Sequence, residues 1–94
     1  MKLSNKLFGA FLASVLISLS STAFAFTACQ VTDIGGVDDK GFNATSWKGV
    51  QDAVAKHGIG SKLLESNAET DYVPNLNSFV SEGCDIIVSV GFLM

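Results

Sequence analysis

The stretch that most limits what this chain can fold into is Asp85 to Val90, DIIVSV. A short, near-continuous apolar run rich in β-branched residues reads as a strand of a parallel sheet covered on both faces. Parallel strands need long crossover connections, usually helical, and the preceding residues supply them. Phe26 to Thr32 reads as a first strand, in which Thr27 and Thr32 favour extension. A helix is predicted from about Asn43 to His57, with Trp47, Val50 and Val54 on one face. Gly58 and Gly60 stop it, and Ser61 to Ser66 forms a second strand centred on Leu63 and Leu64. Asn67 to Thr70 is a polar loop. A second helix then spans about Tyr72 to Glu82, with Pro74 tolerated in its first turn. Leu76, Phe79 and Val80 form its expected buried stripe, and Gly83 ends it. The class is α/β: a β-α-β-α-β half of a doubly wound parallel sheet. Right-handed crossovers put the second and third strands on opposite sides of the first. No third helix follows to cover the third strand, so a truncated domain is expected.

The first 25 residues read differently. Lys2 and Lys6 precede an apolar run from Leu7 to Leu19, and Ala23-Phe24-Ala25 offers small residues at a cleavage site. This pattern predicts a secretory signal peptide over 1–25 and a mature chain of 26–94. The apolar stretch is shorter than the roughly 20 residues a membrane span needs. An acylated Cys29 would erase most of the first strand, so Cys29 is read as lying inside it. The mature part keeps four lysines against nine carboxylates, a net charge near −5. Such a surface argues against nucleic acid or an anionic membrane as partner. Its length is close to the lower limit for a self-sufficient core.

Ligands of open parallel sheets bind outside the carboxyl ends of the strands. There the chain reads VTDIGGVDDKGFN, Val31 to Asn43. The Gly36 to Gly41 spacing mimics a phosphate loop, but Phe42-Asn43 stands where Lys-Ser/Thr is required. Asp33, Asp38 and Asp39 would also repel a phosphate. These carboxylates suit hydroxyl or N–H donors, an amine or a metal, and Phe42 offers an apolar face for a ring. Phe42 lies about 140° from the predicted buried face of its helix, which frees it for stacking. Asp33 either accepts hydrogen bonds from a ligand or caps its own turn. Asp38 and Asp39 either contact ligand or complement the helix dipole, the second reading being the stronger for Asp39. Asn43 caps the helix or bonds the ligand. Gly91 and Phe92 leave the third strand at the same end and can line the pocket. Gly35 and Gly36 are expected to provide positive φ in the turn. His57, the only histidine, has no partners in sequence for a zinc site, and no nucleophile elbow is present.

The run VTDIGGVDDKGFN, with Trp47 and Gly49 after it, resembles the start of the basic membrane protein family. The resemblance continues through DYVPNLNSFVSEGCDIIVSVGF, Asp71 to Phe92. Members are substrate-binding proteins of ABC importers, similar to purine nucleoside receptors, and are two-lobed and several times longer. The resemblance implies the first part of a type I periplasmic-binding-protein lobe that binds a nucleoside or similar small polar ring compound. In the family, the aromatic matching Phe42 is one of two that sandwich the purine ring, and the other lies in the second lobe. It implies an ABC permease as membrane partner, a monomer when full length, an extracytoplasmic location, no cofactor and no catalysis. Where members often have Ser before Phe-Asn, this chain has Gly41. Two alternatives stay open. One is an acidic Mg²⁺-dependent phosphotransfer or receiver-like module built on Asp33, Asp38 and Asp39. It lacks an acceptor Asp at the end of the third strand, where Ser89-Val90-Gly91 stands. The other is a secreted fragment without independent function.

Cys29 and Cys84 are the only cysteines. The predicted secretion sends them to an oxidising compartment, where a pair usually bridges. Cys29 lies in the first strand and Cys84 just precedes the third, its expected neighbour, near the same end and within reach of a disulfide. The alternative is two buried thiols acting as small hydrophobes.

Overall fold

The computed structural model describes residues 26–94. The signal peptide expected over 1–25 lies outside the described residues. The elements run β1 (Thr27–Thr32), α1 (Phe42–His57), β2 (Gly60–Leu64), a single 3-10 turn (Glu69–Asp71), α2 (Tyr72–Glu82) and β3 (Ile86–Val90). The three strands form a parallel sheet in the order β2-β1-β3, with β1 central. This is the predicted β-α-β-α-β arrangement, with the later strands on opposite sides of the first.

β1 is buried along nearly its whole length because it has a strand on each side and a helix on each face. Alternation sends Cys29 and Val31 to one face and Ala28, Gln30 and Thr32 to the other. On the first face Cys29, Val31 and Phe79 of α2 form the core, with Leu64, Leu76, Cys84, Ile87 and Met94 packed against it. The Cys29 and Cys84 sulfurs are joined at 2.03 Å, with a Cα separation of 6.1 Å. Beside them the Thr27 N–H donates to Asp85 Oδ2 (2.7 Å) and the Asp85 N–H to the Thr27 carbonyl (3.0 Å). This reciprocal pair fastens the starts of β1 and β3 together.

Both helices end as their glycines require. Gly58 and Gly83 adopt the left-handed conformation at φ 67° and 79°, and each donates back to the last turn. The stripe of α2 differs from the prediction in one member. Phe79 is buried and Leu76 half-buried, but Val80 is 66% exposed and Tyr72 is buried in its stead. Residues 72, 76 and 79 follow the helical repeat, so the face is turned away from residue 80. β2 stops two residues short of Ser66. Glu65 turns aside to bond Val37, and the Ser66 N–H donates to the Thr32 hydroxyl (3.3 Å) instead of extending the ladder.

Candidate functional site

The carboxyl ends of β1 and β3 and the first turn of α1 enclose a cleft of about 330 Å³. Its lining is Asp33, Asp39, Phe42, Asn43, Ser89, Val90, Gly91 and Phe92. Of the six residues expected to contact ligand, Asp33, Phe42, Asn43, Gly91 and Phe92 come together here. Asp38 is exposed and lies outside the lining, and Asp39 takes the carboxylate place beside Asp33.

The turn after β1 is closed by its own side chains. The Gly36 N–H donates to the Asp33 carbonyl (3.2 Å), and Gly36 takes the positive φ of 73°. Gly35 is not left-handed; the second positive φ belongs to Lys40, at 54°. Lys40 brings the chain round so that Asp39 faces the start of α1. Asp39 Oδ1 accepts from the N–H groups of Gly41 (2.9 Å) and Ala44 (3.0 Å). Its Oδ2 accepts from the Asn43 N–H (3.1 Å) and the Asn43 side-chain amide (3.0 Å). Four donors occupy the roughly four acceptor positions of a carboxylate. Asp39 thus performs the capping role from two residues before the helix boundary at Gly41. These bonds, the Gly41 N–H first and the Ala44 N–H next, hold its pKa at about 2, below the usual aspartate value of 3.8.

Asp33 is bound on one side only. Its Oδ1 accepts from the Gly35 N–H (2.9 Å) and from Asn43 Nδ2 (2.7 Å). Among the described residues no donor reaches Oδ2 within hydrogen-bonding distance. Gly91 lies against this carboxylate at φ 146°: a Cβ there would fall 2.8 Å from Asp33 Cβ. The site therefore demands glycine at 91 for space as well as for backbone conformation.

Asn43 is not the helix cap. It sits in the first turn of α1, 1% exposed, and its Nδ2 donates to both Asp33 and Asp39. Its buried Oδ1 has no partner among the described residues, and neither has Gln30 Oε1. Gln30 Nε2 donates to the Asn43 carbonyl (3.0 Å). An unpaired buried acceptor costs on the order of 1–3 kcal/mol, so these amides hold their places against a local penalty.

Phe42, 77% exposed, stands at the rim, with Phe92 edge-on to it at a centroid distance of 6.4 Å and an interplanar angle of 80°. Both rings add apolar surface to the lining that they share with Asp33. Glu65, at the end of β2, anchors the turn from outside: its Oε1 accepts from the Val37 N–H (2.8 Å). Glu65 and Gln30 were not singled out from the sequence. A signal existed for each: Glu65 lies at the carboxyl end of the expected second strand, the ligand-facing edge, and Gln30 is a lone amide between apolar neighbours in TACQVT.

The arrangement accepts hydrogen bonds at one oxygen and offers aromatic surface next to it. It does not favour the Mg²⁺ alternative, because Asp39 is saturated by N–H donors and Asp38 lies outside the cleft lining. Among the described residues no group of three or more His, Cys, Asp or Glu side chains is placed to hold a metal ion.

Comparison with known proteins gives a consistent result. The family described as ABC transporter substrate-binding protein PnrA-like matches residues 26–94. A CD4+ T-cell-stimulating antigen of Listeria monocytogenes is 40% identical over 72 residues, covering 71% of this chain and 20% of the relative. The ABC transporter nucleoside-binding protein BmpA of Lactococcus lactis is 36% identical over 69 residues, covering 69% of this chain and 20% of the relative. The chain thus spans about a fifth of the length of these relatives.

Proposed function

The chain belongs to the PnrA-like family of ABC transporter substrate-binding proteins, and from that premise we propose that it supplies one wall of a nucleoside-binding site in an extracytoplasmic importer receptor. The observation that carries this reading is the pairing of one free carboxylate oxygen, Asp33 Oδ2, with the exposed ring of Phe42 in one cleft. A nucleoside matches both: N–H or hydroxyl donors for the oxygen and a flat base for the ring. The name of the Lactococcus relative, a nucleoside-binding protein, lends support.

In this reading the protein does no chemistry. The ligand lies against Phe42 and donates to Asp33, and a second wall closes over it, as in the hinge motion of two-lobed binding proteins. The receptor acts as a monomer outside the cytoplasmic membrane and hands its ligand to an ABC permease. Nucleotides are disfavoured. A phosphate near Asp33 meets a like charge, a repulsion on the order of 1 kcal/mol or more per pair at an effective dielectric near 20.

The test is a chimera in which residues 26–94 replace the matched stretch of the Lactococcus nucleoside-binding relative. Calorimetry with inosine, guanosine and their monophosphates is expected to give binding of the nucleosides and at least tenfold weaker binding of the monophosphates, the ratio that about 1.4 kcal/mol produces. Equal or tighter monophosphate binding, or no nucleoside binding, overturns the proposal.

A further inference from the structure

We propose that Gln30 is a positioning residue for the ligand site, acting through Asn43 to present Asp33 to the ligand by a single oxygen. The inference rests on the binding role proposed above and extends it to a residue that lies outside the cleft lining.

The path is continuous. Gln30, 0% exposed, lies at the middle of the central strand on the face turned to α1. Its Nε2 donates to the Asn43 carbonyl at 3.0 Å. That contact fixes the first turn of α1 above the strand. From there Asn43 Nδ2 donates at 2.7 Å to Asp33 Oδ1 and at 3.0 Å to Asp39 Oδ2. Both amide hydrogens are then engaged, so Asn43 has no donor left for a ligand. The Gly35 N–H takes the remaining position on Asp33 Oδ1. Rotation of the carboxylate would break both bonds, so Oδ2 is the oxygen the ligand meets.

Packing alone does not account for the amide. Ala28 and Thr32 flank Gln30 on the same face of β1, and a leucine or methionine would fill similar space without leaving a buried carbonyl unpaired. The donor toward Asn43 is what an apolar side chain could not provide. The site therefore accepts at one point. A ligand whose donors converge on a single oxygen fits it, whereas one that must bridge both oxygens of Asp33 does not.

The proposal is tested in two independent measurements. In the chimera, Gln30→Met is expected to weaken guanosine binding about tenfold with Asp33 present, and to change it by less than about twofold in an Asp33→Asn background, since residues acting through one another are not additive. Equal losses in both backgrounds, or no loss in the first, overturn it. In the 94-residue chain without ligand, Gln30→Met is expected to speed amide exchange at Gly35, whose N–H rests on Asp33, while Val31 is unchanged. An unchanged Gly35, or acceleration shared by Val31 through general loosening, overturns the proposal. A chimera that binds no nucleoside overturns the binding role, and the exchange measurement then decides the positioning role alone.

Discussion

The two faces of β1 divide its six residues between them and differ in how they hold their neighbours. Toward α2, Cys29 and Val31 meet Phe79, Leu76 and Ile87, and the contact is apolar apart from the joined sulfurs. On the other face Ala28 is buried on the side of α1, as is Val50 of that helix, but Gln30 and Thr32 make directional bonds, to the Asn43 carbonyl and from the Ser66 N–H. The apolar face tolerates approximate shape and contributes stability in proportion to buried area. The polar face tolerates little, because each of its bonds has one geometry and a lost partner leaves a buried group unpaired. Stability and positioning are thereby separated by a single strand's alternation. A change on one face should be felt mainly as a shifted melting point, and on the other mainly as a displaced carboxylate.

The largest test of this division lies on the apolar face. Replacing Cys29 and Cys84 together by Ser removes a cross-link across 55 residues of sequence. The chain-entropy account gives about 4 kcal/mol for such a loop, an upper value, read by urea denaturation. Alkylation without reduction should label no thiol in the parent; two labelled thiols would refute the bridge. In the chimera proposed above, the same double substitution should leave nucleoside affinity within about twofold, because the bond lies away from the cleft.

Gly91→Ala probes the opposite end. The new methyl meets Asp33 Cβ and the backbone sits at φ 146°, so a cost of about 2 kcal/mol is expected. On the proposed reading affinity should fall as well, since the displaced group is the proposed acceptor. Loss of stability with affinity intact would show that Asp33 is not the ligand's contact.

A smaller effect concerns acid. Asp39 has its folded-state pKa lowered to about 2 by backbone N–H donors. A group depressed in this way contributes fully above its unfolded value near 3.8 and loses that contribution as pH falls through about 2. The start of α1 should therefore loosen between about pH 4 and pH 2, seen as accelerated amide exchange at Gly41 and Ala44. Asp39→Asn should remove that pH dependence. The smallest expected effect is Lys48→Ala. Its ion pair with Asp52 is exposed, at 2.8 Å on the outer side of α1, and its loss should change stability by less than about 0.5 kcal/mol.

The elements and the strand order were legible because hydrophobic period and glycine stops are local signals, and handedness converts them into topology. The cleft residues Asp33, Phe42, Gly91 and Phe92 were also legible, since strand ends converge at one edge of a parallel sheet. What stayed hidden depends on rotation and side-chain reach. The face of α2 is set by how Tyr72 seats, not by Val80's hydrophobicity. Choosing between Asp38 and Asp39 required the left-handed turn at Lys40, a conformation that a lysine does not announce. Asn43 could be read as a cap or a contact, and only its two bonds to carboxylates reveal a third use.

The central position of β1 also bears on the order in which the molecule can assemble. β1 is synthesised first, yet its neighbours lie far along the chain: Thr27 is paired with Gly60, and Ala28 with Ile86. No hydrogen-bonding partner exists for the strand until more than thirty later residues are available, and its second edge waits for the last strand of the three. Such long-range pairing is slow, because loop closure precedes any gain from contact. Helix α1, by contrast, is held by bonds between residues four apart and needs no distant partner for its own ladder. The bridge from Cys29 to Cys84 is equally long-range: it joins residues 55 apart in sequence, at the end of the sheet where β1 and β3 begin.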